Sequence, residues 1–95
     1  MQFLFFLRIR PDELPANVLT PKLIQQEITA VKTRLASGMF RSAWMRSDQI
    51  GIVALLDESN EEECRAIVGR LPFSLANILE IEKVVPVMPY HKAYP

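Results

Sequence analysis

A glutamate inside an apolar helical pattern is the residue with the clearest potential for chemistry. Apolar residues at the spacing of one helix face surround it: Leu23, Ile24, Ile28, Ala30, Val31 and Leu35. Burial raises the pKa of a carboxylate, so Glu27 is predicted to be a general base that moves a proton on a bound molecule. The alternative is a structural ion pair between helix and sheet, with Arg34, Arg8 or Arg46 as the cation.

A tryptophan between two arginines is the second candidate site. Trp44 shares one strand face with Ser42 and Arg46, whereas Arg41 lies on the opposite face. If the first face lines a pocket, the indole forms an apolar wall and Arg46 binds an anionic group, because a guanidinium matches the geometry of a carboxylate. Arg41, Ser42 and Arg8 are further candidates for substrate binding. The alternative places Trp44 in the core and the arginines in solvent.

The remaining groups with chemical potential are few. Tyr90, His91 and Tyr94 stand in a proline-rich tail, where they either fold over a partner's pocket and supply a proton-transfer group or fray. Cys64 lies on the apolar stripe of a second helix and is predicted to be a buried small hydrophobe. One cysteine and one histidine are too few ligands for a zinc or copper site, and we expect neither a metal nor a nucleotide cofactor.

The length and charge of the chain limit the classes to which it can belong. Ninety-five residues suit one domain spanning residues 1–95, and eleven basic residues balance eleven acidic ones. The net charge therefore gives no attraction to nucleic acid or to an anionic membrane, and neither partner is expected. The lone cysteine, the lack of a signal-peptide pattern and the lack of a long apolar run predict a cytoplasmic protein without a membrane span.

Six predicted elements must position these residues. Strands are predicted where aromatic and β-branched residues concentrate, and helices where apolar residues recur every three or four positions. Thr20-Pro21 and Gly38 bound the first helix, while Ser59 with Glu62 forms a capping box before the second, which Pro72 ends. In chain order the elements are a strand at 3–10, a helix at 21–37, strands at 39–47 and 50–57, the second helix, a strand at 78–87 and an extended tail at 88–95.

The order β-α-β-β-α-β predicts an α+β, ferredoxin-like fold in which a four-stranded antiparallel sheet carries both helices on one face. The first and third strands are apolar on both sides, whereas a sheet with one wet face alternates apolar and polar residues. A second cover is therefore expected, and a second copy of the chain is the simplest one. Burying three further large side chains per protomer contributes roughly 5–8 kcal/mol before the cost of association.

Two stretches carry a family resemblance. The stretch "EITAVKTRLASGMFRSAW" resembles the muconolactone isomerases in an acidic residue, an arginine-leucine pair, a glycine and an arginine before a tryptophan: Glu27, Arg34-Leu35, Gly38, Arg41 and Trp44. The stretch "RLPFSLANILEIE", with a slightly longer loop, is similar to that family at Leu71-Pro72 and Glu80-Ile81-Glu82. The resemblance covers most of the chain. It implies a dimeric α+β barrel that needs no metal or organic cofactor, pairs through its sheets as a homodimer and often assembles into a higher homo-oligomer.

The chain also departs from the family pattern. The family's enzymes carry histidines where this chain has Leu4, Ser42 and the turn Asp48-Gln49, and its one histidine, His91, lies in the tail. Their reaction moves a proton along an unsaturated lactone, so it needs an acid-base group and a cation or donor for the substrate's carboxylate and the developing charge. The loss of these histidines, with the apolar Leu4 at one of the positions, therefore favours a more apolar substrate.

The resemblance implies a cofactor-free isomerase that moves a proton on an unsaturated lactone or a related small apolar acid or polyketide-like molecule. Two alternatives stay open: a non-catalytic ligand-binding or assembly protein on the same barrel, and a cofactor-free oxygenase. Glu27→Gln distinguishes the enzyme from the binding protein, since it removes the base. Oxygen uptake with a quinol-like substrate would reveal the oxygenase.

Overall fold

The computed structural model describes residues 1–10 and 18–94 of the chain. Within that part the elements are β1 (Gln2–Ile9), α1 (Pro21–Ser37), β2 (Ser42–Met45), β3 (Gly51–Asp57), α2 (Glu61–Val68), α3 (Pro72–Leu75), β4 (Leu79–Val87) and α4 (Tyr90–Ala93). The strands form one antiparallel sheet in the order β2-β3-β1-β4. This arrangement confirms the predicted α+β, ferredoxin-like topology, while residues 11–17, between the predicted first strand and first helix, lie outside the described residues.

β1 is a central strand, because it pairs with β3 on one side and with β4 on the other. Its side chains alternate, so that Phe3, Phe5 and Leu7 are buried on one face while Leu4 and Phe6 are half-buried on the other. Aromatic and branched residues suit a pleated surface of this kind. The inner residues join a core to which α1 and α2 also contribute, as the sequence predicts.

α1 begins and ends where the sequence predicts. The Thr20 hydroxyl accepts the N–H of Leu23 at 3.1 Å, and Gly38 closes the helix with φ of 81°. Other residues are strained at that φ, so glycine suits this end. Within α1 only Glu27 is buried, because the apolar residues around it border an open cavity rather than a closed core.

Two predictions at the second helix are corrected. The cap is Asn60, whose side chain accepts the N–H of Glu63 at 2.9 Å, while the Glu63 carboxylate accepts the N–H of Ser59. The cap therefore lies one residue later than the predicted Ser59, and the carboxylate that reaches back is Glu63 rather than the predicted Glu62. Pro72, predicted to end the helix, instead opens α3, because a residue without an N–H suits the first helical position.

The second strand and the tail also differ from the prediction. β2 is shorter than the predicted 39–47, because the N–H of Phe40 donates to a carbonyl in the last turn of α1 at 3.0 Å and completes the end of that helix. The prediction of an extended tail at 88–95 is wrong for α4. That single helical turn is closed by a hydrogen bond from the N–H of Tyr94 to the carbonyl of Tyr90 at 3.1 Å.

The face of the sheet away from the helices is also apolar, which confirms the prediction of a sheet with two apolar faces. Trp44 is 52% exposed there, and its neighbours on β1 and β3 are half-buried. We call this surface the open face. Its apolar residues are Leu4, Phe6, Trp44, Val53, Leu55, Val85 and Val87, and the polar residues Gln2, Ser42, Asp57 and Lys83 lie on the same face.

Candidate active site

A cavity of about 320 Å³ lies between α1 and the face of the sheet that the helices cover. Its walls are apolar side chains from α1, β1, β3 and β4: Ile24, Ile28, Val31, Ile9, Ile52 and Leu79. Met45 and Ile50 also border it and are 81% and 73% exposed, so the cavity opens to solvent on their side. Among the described residues of the wall, Glu27 is the one polar side chain. The cavity therefore places a single carboxylate in apolar surroundings.

The first turn of α3 fixes the position of Glu27. Its Oε1 accepts the N–H of Phe73 at 2.9 Å, and the residue is 8% exposed. First-turn N–H groups have no partner inside their own helix, so this carboxylate satisfies a donor that α3 leaves free. The other oxygen, Oε2, accepts no hydrogen bond from any residue that the structure describes. One oxygen is thus structural, and the other is available to a ligand.

Burial raises the pKa of Glu27 above the ordinary value of a glutamate. The hydrogen bond from Phe73 and the charge of Arg34 act in the opposite direction and are the smaller effects. Arg34 Nη1 donates to the carbonyl of Ala30 at 3.1 Å, and its buried Nε has no partner among the described residues. Of the three arginines predicted as partners, Arg34 is the one whose charge reaches Glu27, although the two form no salt bridge.

The sheet separates Glu27 from the tryptophan group. Trp44 and Ser42 lie on the open face by their pairing with β3, whereas the cavity lies on the opposite face. Trp44 therefore belongs neither to the described cavity wall nor to the core. Met45, the next residue, borders the cavity instead. Strand alternation indicates that Trp44 and Met45 point in opposite directions, but it does not indicate which of them faces the helices.

Arg41 and the tail residues lie outside the described cavity wall. Arg41 is exposed, and its N–H donates to the carbonyl of Leu55 at 2.7 Å just before β2 begins. Tyr90 and Tyr94 form a tilted aromatic pair with ring centroids 5.1 Å apart, and His91 is exposed in the same turn. Their role over a partner's pocket stays a prediction.

Arg46 is engaged by two carboxylates of its own chain. Its Nη2 donates to Asp48 at 2.7 Å and its Nη1 to Glu82 at 2.9 Å, while its guanidinium carbon lies 5.8 Å from the centroid of the Phe6 ring. The hydrogen bonds from Arg46 hold the pKa of Asp48 and that of Glu82 below their usual range. Internal carboxylates therefore occupy the position that the sequence predicts for an anionic ligand.

Arg8 joins the same cluster on the open-face side of the sheet. It bonds to Glu80, and its Nη1 donates to Glu82 at 3.1 Å. The Gln49 side chain donates to Glu82 as well, at 3.0 Å. Glu82 is the extra residue of a β-bulge in β4 opposite the middle of β1. Sequence reasoning missed this cluster because its members are as far as 74 positions apart and no local pattern links them.

Three further observations concern groups outside the cavity. Cys64 is buried in the core, as predicted. Within residues 1–10 and 18–94, no three His, Cys, Asp or Glu side chains cluster in a way that could bind a metal ion. Across the same ranges, every helix is too short or too polar to cross a membrane.

Comparison with known proteins supports the fold. No family model and no curated protein matches the sequence. Among solved structures, the chain is similar to 5-chloro-2-hydroxyhydroquinone dehydrochlorinase (TftG) from Burkholderia phenoliruptrix AC1100 in complex with 2,5-dihydroxybenzoquinone. The TM-score is 0.61 at 17% sequence identity, over 97% of this chain and 98% of that chain. This likeness extends the ferredoxin-like α+β assignment over nearly the whole chain.

Proposed function

We propose that this chain is an enzyme that converts a small, largely apolar molecule by moving a proton, with Glu27 as the acid-base group. The observation that carries the proposal is the unbonded oxygen of a buried carboxylate in an apolar cavity of about 320 Å³. A carboxylate in such surroundings binds a proton more tightly than one in water, which suits a general base. The similar fold of TftG, a dehydrochlorinase with a small ligand, supports small-molecule conversion on this scaffold.

The reaction that fits best is isomerisation of an unsaturated lactone or a related enolisable molecule. Glu27 Oε2 removes a proton from a carbon next to a conjugated carbonyl, and the C–H bonding pair moves into the conjugated system. The same carboxyl group then returns the proton to another carbon. Atoms and electrons balance over the cycle, so the reaction needs no redox partner. Oε1 stays bonded to Phe73, which keeps the carboxylate oriented during both transfers.

Deuterium exchange in heavy water tests this proposal. Wild-type protein is mixed with a panel of unsaturated lactones, enolisable ketones and hydroxylated quinones, and proton NMR follows the loss of substrate C–H signals. We expect Glu27→Gln to slow the exchange by about 100-fold or more, since glutamine still accepts the Phe73 N–H but cannot take a proton. Glu62→Gln, at an exposed position at the start of α2, is the control and should exchange at the wild-type rate.

Two results of that experiment would contradict the proposal of an enzyme that uses Glu27 as its base. Exchange at full rate by a folded Glu27→Gln protein removes Glu27 as the base. Shifts of cavity methyl signals without any exchange would favour the second candidate, a ligand-binding protein without turnover. The observation that favours this candidate is that the described cavity walls offer no second polar side chain to stabilise charge developing on a substrate.

We further propose that a second copy of the chain covers the open face. Solvated sheet faces are normally polar at alternate positions, whereas the middle of this face is apolar apart from Lys83, and Ser42 lies at its edge. The arginines at one end of the face, Arg8 and Arg46, are paired with carboxylates of their own chain. Dimer formation would therefore bury the face without leaving these cations unpaired.

A further inference from the structure

We propose that the Glu27 cavity selects uncharged ligands, namely compact and largely apolar molecules that carry a hydroxyl or an acidic C–H group and no carboxylate. The inference deepens the proposed function and rests on it for the identity of the cavity. It concerns binding alone, so an experiment can test it without turnover.

The described residues of the cavity wall offer a ligand a hydrogen-bond acceptor and no cation. Glu27 is the one ionisable side chain among the described residues of the wall, and its Oε2 accepts no hydrogen bond from them. The nearby N–H of Phe73 already donates to Glu27 Oε1 at 2.9 Å. A ligand hydroxyl can therefore donate to Oε2, while a ligand anion meets a carboxylate and hydrocarbon on the described part of the wall.

None of the three arginines predicted as partners of Glu27 belongs to the described wall of the cavity. Arg8 and Arg46 lie on the opposite face of the sheet, where Glu80, Glu82 and Asp48 already bind them. Arg34 lies beyond the described wall of the cavity and donates to the carbonyl of Ala30 in its own helix. A carboxylate bound beside Glu27 would thus be a second negative charge in apolar surroundings, which is strongly unfavourable.

This expectation contradicts the ligand class that the family resemblance implies. An isomerase of that family binds a lactone that carries a carboxylate, and it needs a cation or donor for that group. Here the described cavity wall contains no cation or side-chain donor for a carboxylate. Isoleucines, a valine and a leucine make up most of its lining residues. The charge of the described wall therefore favours a neutral molecule.

Binding of 2-naphthol and 2-naphthoate tests the inference, because the two probes share a ring system and differ in charge near neutral pH. Binding is followed by NMR shifts of the methyl groups of Ile24, Ile28 and Ile52, which line the cavity. We expect 2-naphthol to bind at least about tenfold more tightly than 2-naphthoate. Glu27→Gln should narrow this difference by improving naphthoate binding, and Glu62→Gln should leave it unchanged.

Three outcomes would overturn the inference. One is equal or tighter binding of 2-naphthoate to the wild-type protein near neutral pH. Another is naphthoate binding that Arg34→Gln abolishes, since that would identify Arg34 as the missing cation. The third is the absence of methyl shifts with both probes at millimolar concentration.

If Glu27→Gln does not fold, acidification of the wild-type protein replaces the variant, because naphthoate should bind better once a proton neutralises one of the two carboxylates. Tighter binding of 2-naphthol than of 2-naphthoate, without deuterium exchange into any substrate, would support this inference and contradict the proposed reaction.

Discussion

Two glutamates of this chain lie in opposite environments. Glu27 is buried among hydrocarbon with one backbone donor and no salt bridge to the described residues, and its pKa is raised. Glu82 lies between Arg8 and Arg46, and its pKa is lowered by the hydrogen bond from Arg46. One carboxylate is poised to take up a proton, and the other is held ionised. Their effects on stability should therefore have opposite signs.

We expect Glu27→Gln to be more stable than the wild-type protein near neutral pH. Because the folded-state pKa of Glu27 is raised, ionisation destabilises the folded protein as pH rises above the ordinary glutamate value of about 4.3. Each tenfold gain in proton affinity corresponds to about 1.4 kcal/mol of unfolding free energy. The advantage of the variant should vanish as pH falls toward 4, which urea unfolding at several pH values can measure. A variant less stable than wild type across this whole range would contradict the buried, unpaired carboxylate.

At Glu82 we expect the substitution by glutamine to change the stability in the opposite direction. Its folded-state pKa is lowered, so its contribution to stability is present above the ordinary glutamate pKa and is lost as pH falls through the folded value. Glu82→Gln should therefore be less stable than wild type at neutral pH and equal to it in acid. Thermal melts at neutral and acid pH measure the two differences. Because the cluster is exposed at its edges, a small effect is expected, and an effect that persists in acid would point to packing instead.

Part of the candidate site follows from the sequence. Glu27 is predicted because one polar residue interrupts a helical apolar pattern, and that pattern alone fixes its side of the helix. The sequence does not predict that Trp44 and Arg46 lie on the face away from Glu27. β2 is only four residues long and mixes polar and apolar residues on both faces, so its pattern does not indicate which face the helices cover. The hydrogen bond from Phe73 depends on α3, a four-residue helix in a stretch predicted only as a connection.

At the scale of elements, periodicity predicts the order of strands and helices, while local hydrogen bonds decide their ends. Strand propensity continues through Met39 and Phe40, but the N–H of Phe40 is used to finish α1, so it cannot join the sheet ladder. The same applies at α2, where Ser59 and Asn60 are both good caps and the structure uses the second one. Sequence propensity cannot choose between neighbours of similar quality.

The contact between β1 and β3 yields a prediction at Gly51. A Cβ atom at this position would lie 2.1 Å from the carbonyl oxygen of Leu7, so the strands would have to move apart. We expect Gly51→Ala to destabilise the protein by about 1–3 kcal/mol or more, measured by urea unfolding. Gly69→Ala is the control, since a Cβ there meets its nearest backbone atom, the Arg65 carbonyl oxygen, at 3.2 Å. Equal stability of the two variants would contradict the close approach.

At the scale of the whole molecule, the two faces of the sheet have different roles. The inner face and the helices enclose the candidate site, and the open face is the surface that we propose a second copy covers. Both uses need apolar residues on alternate positions of the same strands, and both faces in the middle of β1 and β3 are accordingly apolar. The sequence predicts this division, because both sets of alternating positions in β1 and β3 are occupied mainly by apolar residues.

Val53→Asp tests the proposed homodimer. Val53 lies in the middle of the open face, so a carboxylate there would have to be buried without a partner if two copies met. We expect the wild-type protein to sediment at twice the 10.9 kDa protomer mass at micromolar concentration, and Val53→Asp to sediment as a monomer. Ala66→Asp, which adds the same charge at an exposed position on α2, should remain dimeric. A wild-type species of 10.9 kDa under these conditions would contradict the proposed homodimer.

The bulge at Glu82 has a consequence for how such a chain can vary. Ile81 pairs with Leu7 and Lys83 with Phe6, so loss of Glu82 would leave a regularly alternating strand with the same residues inside. A one-codon deletion would thus remove an acidic group shared by two arginines without repacking the interior. The bulge thus makes the ionic character of the outer surface separable from the cavity.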